Sequence, residues 1–132
     1  MPPNSTIPGS PESWLRYAQS DLAIALSGAT TPEILYETLC FHAQQVVEKS
    51  IKAVLVQQQI AFSYTHNLSI LITLIKTAEV NWDEQLDSAS ALTIYAVAAR
   101  YPGALEAVTE DEYQQATEIA ELVFLWAKHL IE

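Results

Sequence analysis

Residues 37–56 place the strongest constraint on what this chain can fold into. At about 100° per residue, Leu39, Ala43, Val46, Val47, Ser50, Ala53 and Val54 fall on one wide, mostly apolar arc. His42, Gln45, Glu48, Lys49 and Lys52 fall on the opposite side as a polar stripe. An arc this wide is what a central helix needs if neighbours are to pack on both of its flanks. The stripe also gathers a histidine and two of the six Lys and Arg residues in a chain of net charge −10.

Cap signals divide the rest of the chain into helices. Residues 1–9, with Pro2, Pro3 and Pro8 among Asn, Ser and Thr, predict a disordered leader. Residues 10–132 form one domain, long enough to bury a core without disulfides or metal. Ser10-Pro11-Glu12 is a helix start, with serine as N-cap, proline at the first helical position and an acid in the first turn. That helix runs to about residue 27, turns Trp14, Ala18, Leu22 and Leu26 to one face, and stops at Gly28. Thr31-Pro32-Glu33 repeats the start signal for the second helix, which continues to about residue 59 as the spine of the domain. A loop over 60–65 precedes a shorter third helix carrying Leu68, Leu71, Ile72 and Ile75, interrupted at 79–81.

Asn81 or Asp83 caps a fourth helix with a stripe of Leu86, Ala89, Leu92, Ala96 and Ala99, which Pro102 must end or kink. Thr109-x-x-Glu112 is a capping box that opens the fifth helix, with Tyr113, Ala116, Ala120, Val123, Ala127 and Leu130 on its inner face. No run alternates with period two over a strand length, and only three residues are glycine. The fold expected is all-α, an antiparallel bundle of about five helices.

Charge and composition narrow the function. Strong net acidity argues against a general electrostatic grip on duplex DNA or an anionic membrane. No apolar stretch approaches the length of a membrane span, and no secretory signal opens the chain. The lone Cys40 has no partner for an internal disulfide, which suits the cytosol. A soluble, cytoplasmic protein is expected.

Chemical motifs are sparse. Di-iron bundles use Glu-x-x-His repeats, and none of His42, His66 or His129 has a glutamate three residues before it. Cys40 and His42 point about 160° apart on a helix, so neither a metal nor a cofactor is expected, and Cys40 reads as a small buried hydrophobe. No phosphate-cradling glycine loop occurs. The stripe has a plain reading, in which Glu48 and Lys52 form an i,i+4 pair and Gln45 and Lys49 are solvated surface. It has a functional one as the wall of a polar cleft. His66, after Thr65, is placed to help cap the third helix. Arg100 suits the C-terminal dipole of its helix. Its guanidinium is equally suited to bidentate contact with phosphate, and Tyr101 beside it to stacking or an interface.

These pieces stand in a familiar order: Trp14-x3-Ala18-x2-Asp21-Leu22, then Cys40-Phe41-His42-Ala43-Gln44-Gln45-x2-Glu48-Lys49-x2-Lys52, His66-x-Leu68, and Ala99-Arg100-Tyr101-Pro102. The order resembles the HEPN domain ("higher eukaryotes and prokaryotes nucleotide-binding"), over about residues 12–131. The resemblance implies a small bundle of the nucleotidyltransferase substrate-binding-subunit type that commonly dimerises. It also implies frequent pairing with a minimal nucleotidyltransferase in a toxin–antitoxin module. Many HEPN members are metal-independent ribonucleases with an Arg-x4–6-His motif shared across a dimer cleft. Arg100 matches the arginine, but Leu105, Glu106 and Ala107 stand where the histidine is required.

Three functions follow. One is a homodimeric partner of a nucleotidyltransferase, in which Arg100, Lys49, Lys52, His42, Gln45 and Tyr101 form a cleft for a nucleotide or RNA phosphate, with Glu48 orienting the lysines. A second is a ribonuclease toxin using Arg100 and a displaced histidine. The third is a structural helical adaptor. Leu122, Phe124, Leu125 and Trp126 widen the apolar face of the fifth helix and point to a second subunit.

Overall fold

Ser10 begins the first helix as its spacing predicts. The Ser10 Oγ accepts the Ser13 N–H at 3.1 Å, and Pro11 occupies the first turn, where its missing donor costs nothing. The computed structural model describes residues 9–97 and 101–132. Within them lie α1 (Pro11–Ala25), α2 (Tyr36–Gln57), α3 (Leu68–Thr77), a 3-10 helix (Glu84–Ala96) and α4 (Glu110–Ile131), with no strand among the described residues. The bundle is the all-α architecture expected. Helix α2 packs on all four of the others, and α1 and α4 also touch each other beside it.

Over its last turns the two-faced wheel expected of α2 gives way to burial on every side. Residues Ile51, Lys52, Ala53, Val54, Leu55 and Val56 are consecutive and all buried, as are Gln44 and Glu48 farther up. A helix hydrophobic over half its circumference and packed by four others encloses part of its polar side too. That side needs partners within the fold.

Helix α2 also starts later than Thr31-Pro32-Glu33 suggests. The Thr31 carbonyl accepts the Ile34 N–H at 3.1 Å, which closes a turn, and extended Leu35 then leads into Tyr36 with no side-chain cap. Tyr36 stacks on Tyr113 of α4, ring centroids 5.0 Å apart. Gly28 does not end α1 through a left-handed conformation. A 3-10 turn (Leu26–Ala29) follows α1, and a Cβ on Gly28 would lie 2.7 Å from Leu39 Cδ1 and 2.9 Å from Tyr113 Oη. Glycine is there because α2 and α4 come too close for a side chain.

Helices α2 and α3 end in the same way, without glycine. Gln59 and Glu79 both take φ of 59°, and Ile60 and Val80 donate back to Leu55 and Ile75 at 2.9 and 3.2 Å. Each is a Schellman closure on a residue that carries a Cβ. Asn67 caps α3 by accepting the Ser69 N–H, so the capping role read for His66 belongs to its neighbour.

The fourth helix is wound as 3-10 over thirteen residues, and its burial follows a period of three. Leu86, Ala89, Leu92 and Tyr95 are buried, while Gln85, Ser88, Ala91, Ile94 and Val97 are not. Side chains three apart eclipse in this geometry, so Tyr95 turns inward as well, beside Ala96, which is buried as its stripe predicts. The expected Ala99 lies outside the described residues. Tyr101-Pro102-Gly103-Ala104 is a tight turn, with Gly103 at φ 77° and the Ala104 N–H on the Tyr101 carbonyl at 3.1 Å. Thr109 and Glu112 form the capping box of α4 reciprocally, at 3.1 and 2.9 Å.

Candidate functional site

The polar stripe of α2 is divided between two carboxylates. Asp21 lies on the inner face of α1, one helical step from Ala18, and turns toward α2. Its Oδ1 meets His42 Nδ1 at 2.9 Å, and its Oδ2 accepts Lys49 Nζ at 2.6 Å. An ionised carboxylate only accepts, so His42 donates through Nδ1 and its Nε2 is the ring's free acceptor when neutral. The Asp21 side chain is 10% exposed, His42 25% and Lys49 21%, so this cluster stands at the edge of the domain. The Lys49 ammonium lies 5.9 Å from the ring centre of Tyr17.

Glu48 is the second hub. Its Oε1 accepts Gln44 Nε2 at 3.1 Å and His66 Nδ1 at 2.8 Å, and its Oε2 accepts Lys52 Nζ at 2.9 Å. Burial alone would raise the Glu48 pKa. The hydrogen bonds from Lys52 and Gln44, the Lys52 charge and the His66 contact outweigh it, and the carboxyl is held below its ordinary range. Lys52 and Glu48 side chains are both 5% exposed. The ammonium also sits between the rings of Trp14 and Phe62, 5.8 and 5.6 Å from their centres. Lys52 thus has almost no surface to offer a ligand, and Glu48 holds Lys52 and His66 without touching Lys49. The i,i+4 pair read for Glu48 and Lys52 forms as expected, buried inside the fold rather than at the surface.

The remaining candidates are scattered. Gln45 turns its amide onto Gln44 Oε1 at 2.7 Å and extends the Glu48 network. Tyr101 is 61% exposed on its turn. Arg100 lies outside the described residues. Asp21, which orders the open cluster, lies beyond the site residues that the sequence points to. Its signal is a charged residue on the stripe Leu15, Ala18, Leu22, Ala25, all buried. A carboxylate there must find cations on the facing helix.

Cys40 is fully buried against Tyr95. Burial pushes its thiol up to about 12, the Tyr95 hydrogen bond opposes this, and Glu112 and Glu37 add to the rise. The thiol stays protonated and is no nucleophile. No group of three or more His, Cys, Asp or Glu among the described residues could hold a metal ion.

With this geometry in view, comparison with known proteins is decisive at the level of family. The model of the HEPN domain matches residues 11–130. This chain belongs to the HEPN family. Its fold is shared with the crystal structure of ST0689, an archaeal HEPN homologue, at 24% identity and a TM-score of 0.74, over 95% of this chain and 100% of the other. It is shared equally with the crystal structure of TT1696 from Thermus thermophilus, at 24% identity and a TM-score of 0.77, over 90% of this chain and 96% of the other. At such identity the likeness speaks for the HEPN fold alone. Among curated proteins none matches this chain. No described helix of this HEPN domain is long and apolar enough to cross a membrane.

Proposed function

We propose that this HEPN protein is a cytoplasmic interaction protein, the homodimeric partner of a minimal nucleotidyltransferase in a toxin–antitoxin type of module. The observation that carries this reading is the engagement of the polar stripe. Asp21 and Glu48 between them bind His42, Lys49, His66 and Lys52. With no histidine at the motif spacing after Arg100, the chain offers partner-binding surface more readily than an assembled catalytic pair. Contact with a nucleotide or RNA phosphate falls to Arg100 and the partly open Lys49 and His42, with Tyr101 and Gln45 in support. The test is a pull-down with the product of the neighbouring gene, expected to be a nucleotidyltransferase, together with calorimetry using ATP and short RNAs. Failure to capture that protein removes the pairing, and no heat with any ligand removes the phosphate cleft.

One observation favours the ribonuclease reading as a second. Asp21 fixes the tautomer of His42 and leaves Nε2 as an oriented base, which is what proton transfer from a ribose hydroxyl requires. RNA cleavage abolished by both His42→Ala and Arg100→Ala would support it. An absence of cleavage by the parent protein would dismiss it.

A further inference from the structure

Three residues per turn give the 3-10 helix three straight rows of side chains. Leu86, Ala89, Leu92 and Tyr95 are the buried row. A second row meets α3, where the Asp87 carboxylate accepts Lys76 Nζ at 2.9 Å and Thr93 Oγ1 accepts the Leu68 N–H at 3.1 Å. The third row, Gln85, Ser88, Ala91, Ile94 and Val97, is exposed from end to end, Ile94 at 55% and Val97 at 59%. Between this row and α4 runs a cleft of about 250 Å³. Leu92, Tyr95, Ala116 and Ile119 give it an apolar floor, and Ser88, Ala91, Glu112 and Gln115 complete its lining. Exposed Leu122 follows Ile119 on the α4 wall. Farther along, Trp126 packs edge-on against Trp82 and donates its indole N–H to the Asn81 carbonyl. Trp126 and the buried Phe124 are thus used within the domain and not, as their place on α4 suggests, at a second subunit.

The charge beside the cleft is of one sign. Glu112 lines it, and Asp111 and Glu118 stand one turn before and after Gln115. Residues 84–97 and 105–122 contain no Lys, Arg or His. Among the described residues no cation pairs with Asp111, Glu112 or Glu118. Asp111 and Glu112 suit the N-terminus of α4, but Glu118 lies beyond its first turn, where the helix dipole no longer favours an anion.

We infer that this cleft seats an amphipathic helix of a partner protein, its apolar stripe on Ile94, Ile119 and Leu122 and its Lys or Arg side chains on Asp111, Glu112 and Glu118. The inference rests on the reading of this chain as an interaction protein and names the surface and the chemistry that fits it. Charge selects the occupant. A second copy docked through the same face sets these acids against themselves, and RNA or an anionic lipid surface meets them with its own charge. Shape agrees. At about 2.0 Å per residue the 3-10 helix makes a wall roughly 26 Å long, close to five turns of an α-helix. A groove between two helices takes the ridge of a third, whose anchors recur every three or four residues.

Fluorescence anisotropy on the full chain, with three labelled peptides of about five helical turns, tests this. One carries Leu at helical spacing and Lys elsewhere, the second replaces its Lys by Glu, and the third replaces its Leu by Ser. Only the first is expected to bind. Ala91→Arg, which fills the cleft with a side chain and a cation, and Glu118→Lys are each expected to weaken it about tenfold or more. Circular dichroism should not change, since both positions are exposed. Glu12→Lys makes the same change in net charge beside the other end of α4 and is expected to leave binding within about twofold. Equal weakening by Glu12→Lys overturns the cleft, because any cation would then be drawn to this acidic chain. No binding by the parent, or binding that Ala91→Arg leaves intact, overturns it too. Where the pull-down described above captures the neighbouring product, Ala91→Arg is expected to lose it. Capture retained overturns the cleft and leaves the pairing, whereas an empty pull-down with the first peptide still bound removes the pairing and upholds the cleft.

Discussion

Asp21 and Glu48 each bind a lysine ammonium through one oxygen and a histidine Nδ1 through the other, yet the two clusters sit in different surroundings. Around Glu48 the carboxylate and its lysine are both 5% exposed behind a buried glutamine and two aromatic rings, while the His66 imidazole reaches out to solvent with 56% of its side chain exposed. Around Asp21 the lysine and histidine keep a fifth to a quarter of their surface. The same donors and acceptors therefore do different work. In the closed Glu48–Lys52 pair two buried charges compensate each other, and removing either strands the other away from water. In the open one, water shares the load, and the groups stay within reach of a ligand.

The sharpest way to break this contrast is to remove one charge from the closed pair. Lys52→Met leaves the Glu48 carboxylate buried without its cation and is expected to cost about 3–5 kcal/mol in denaturant unfolding. A loss no larger than a surface pair gives would mean that water reaches Glu48. Acid acts on the same group. Its folded pKa is depressed, so its contribution is complete above the unfolded value and is lost as pH falls through the folded one. Stability followed down through the acid range should drop steeply in the parent and more gently in Glu48→Gln, which starts lower. Parallel curves would deny Glu48 that role.

At the open cluster, Asp21→Asn is expected to cost about 1–2 kcal/mol, between a charged hydrogen bond in the interior and a surface ion pair. A penalty matching that of Lys52→Met would erase the distinction. The smallest effect is expected when the closed pair is replaced as a whole. Glu48→Leu with Lys52→Met should return stability to within about 1 kcal/mol of the parent, since apolar substitutes of similar volume need no partners. A double variant as unstable as the single would show that Gln44 and His66 depend on the carboxylate as much as Lys52 does.

Much of the fold was legible because its signals are local. A serine before a proline, an aspartate two residues before a free N–H, and a threonine three before a glutamate each act through atoms a few residues apart; Ser10 and Thr109 cap as expected, and of the two candidates Asn81 and Asp83 it is Asp83 that caps. Helix ends were harder where the chain used an unfavoured residue. Gln59 and Glu79 adopt a left-handed conformation that carries no sequence mark without glycine or asparagine. The 3-10 winding of 84–96 was hidden because Leu86, Ala89 and Leu92 fit three-residue and 3.6-residue periods alike, and only Tyr95 separates them.

The order of residues by itself determined that this chain is a helical HEPN bundle with a long central helix, since apolar periodicity and capping chemistry depend on near neighbours. It also determined that six charged or histidine groups, Asp21, His42, Glu48, Lys49, Lys52 and His66, would have to be accommodated. Tertiary structure alone decided which pairs they form and which pair is closed off from water. The physical reason is that the cost of a charge depends on the solvent around it, and that is set by the packing of α1, α3, α4 and the 3-10 helix around α2 rather than by any spacing along α2.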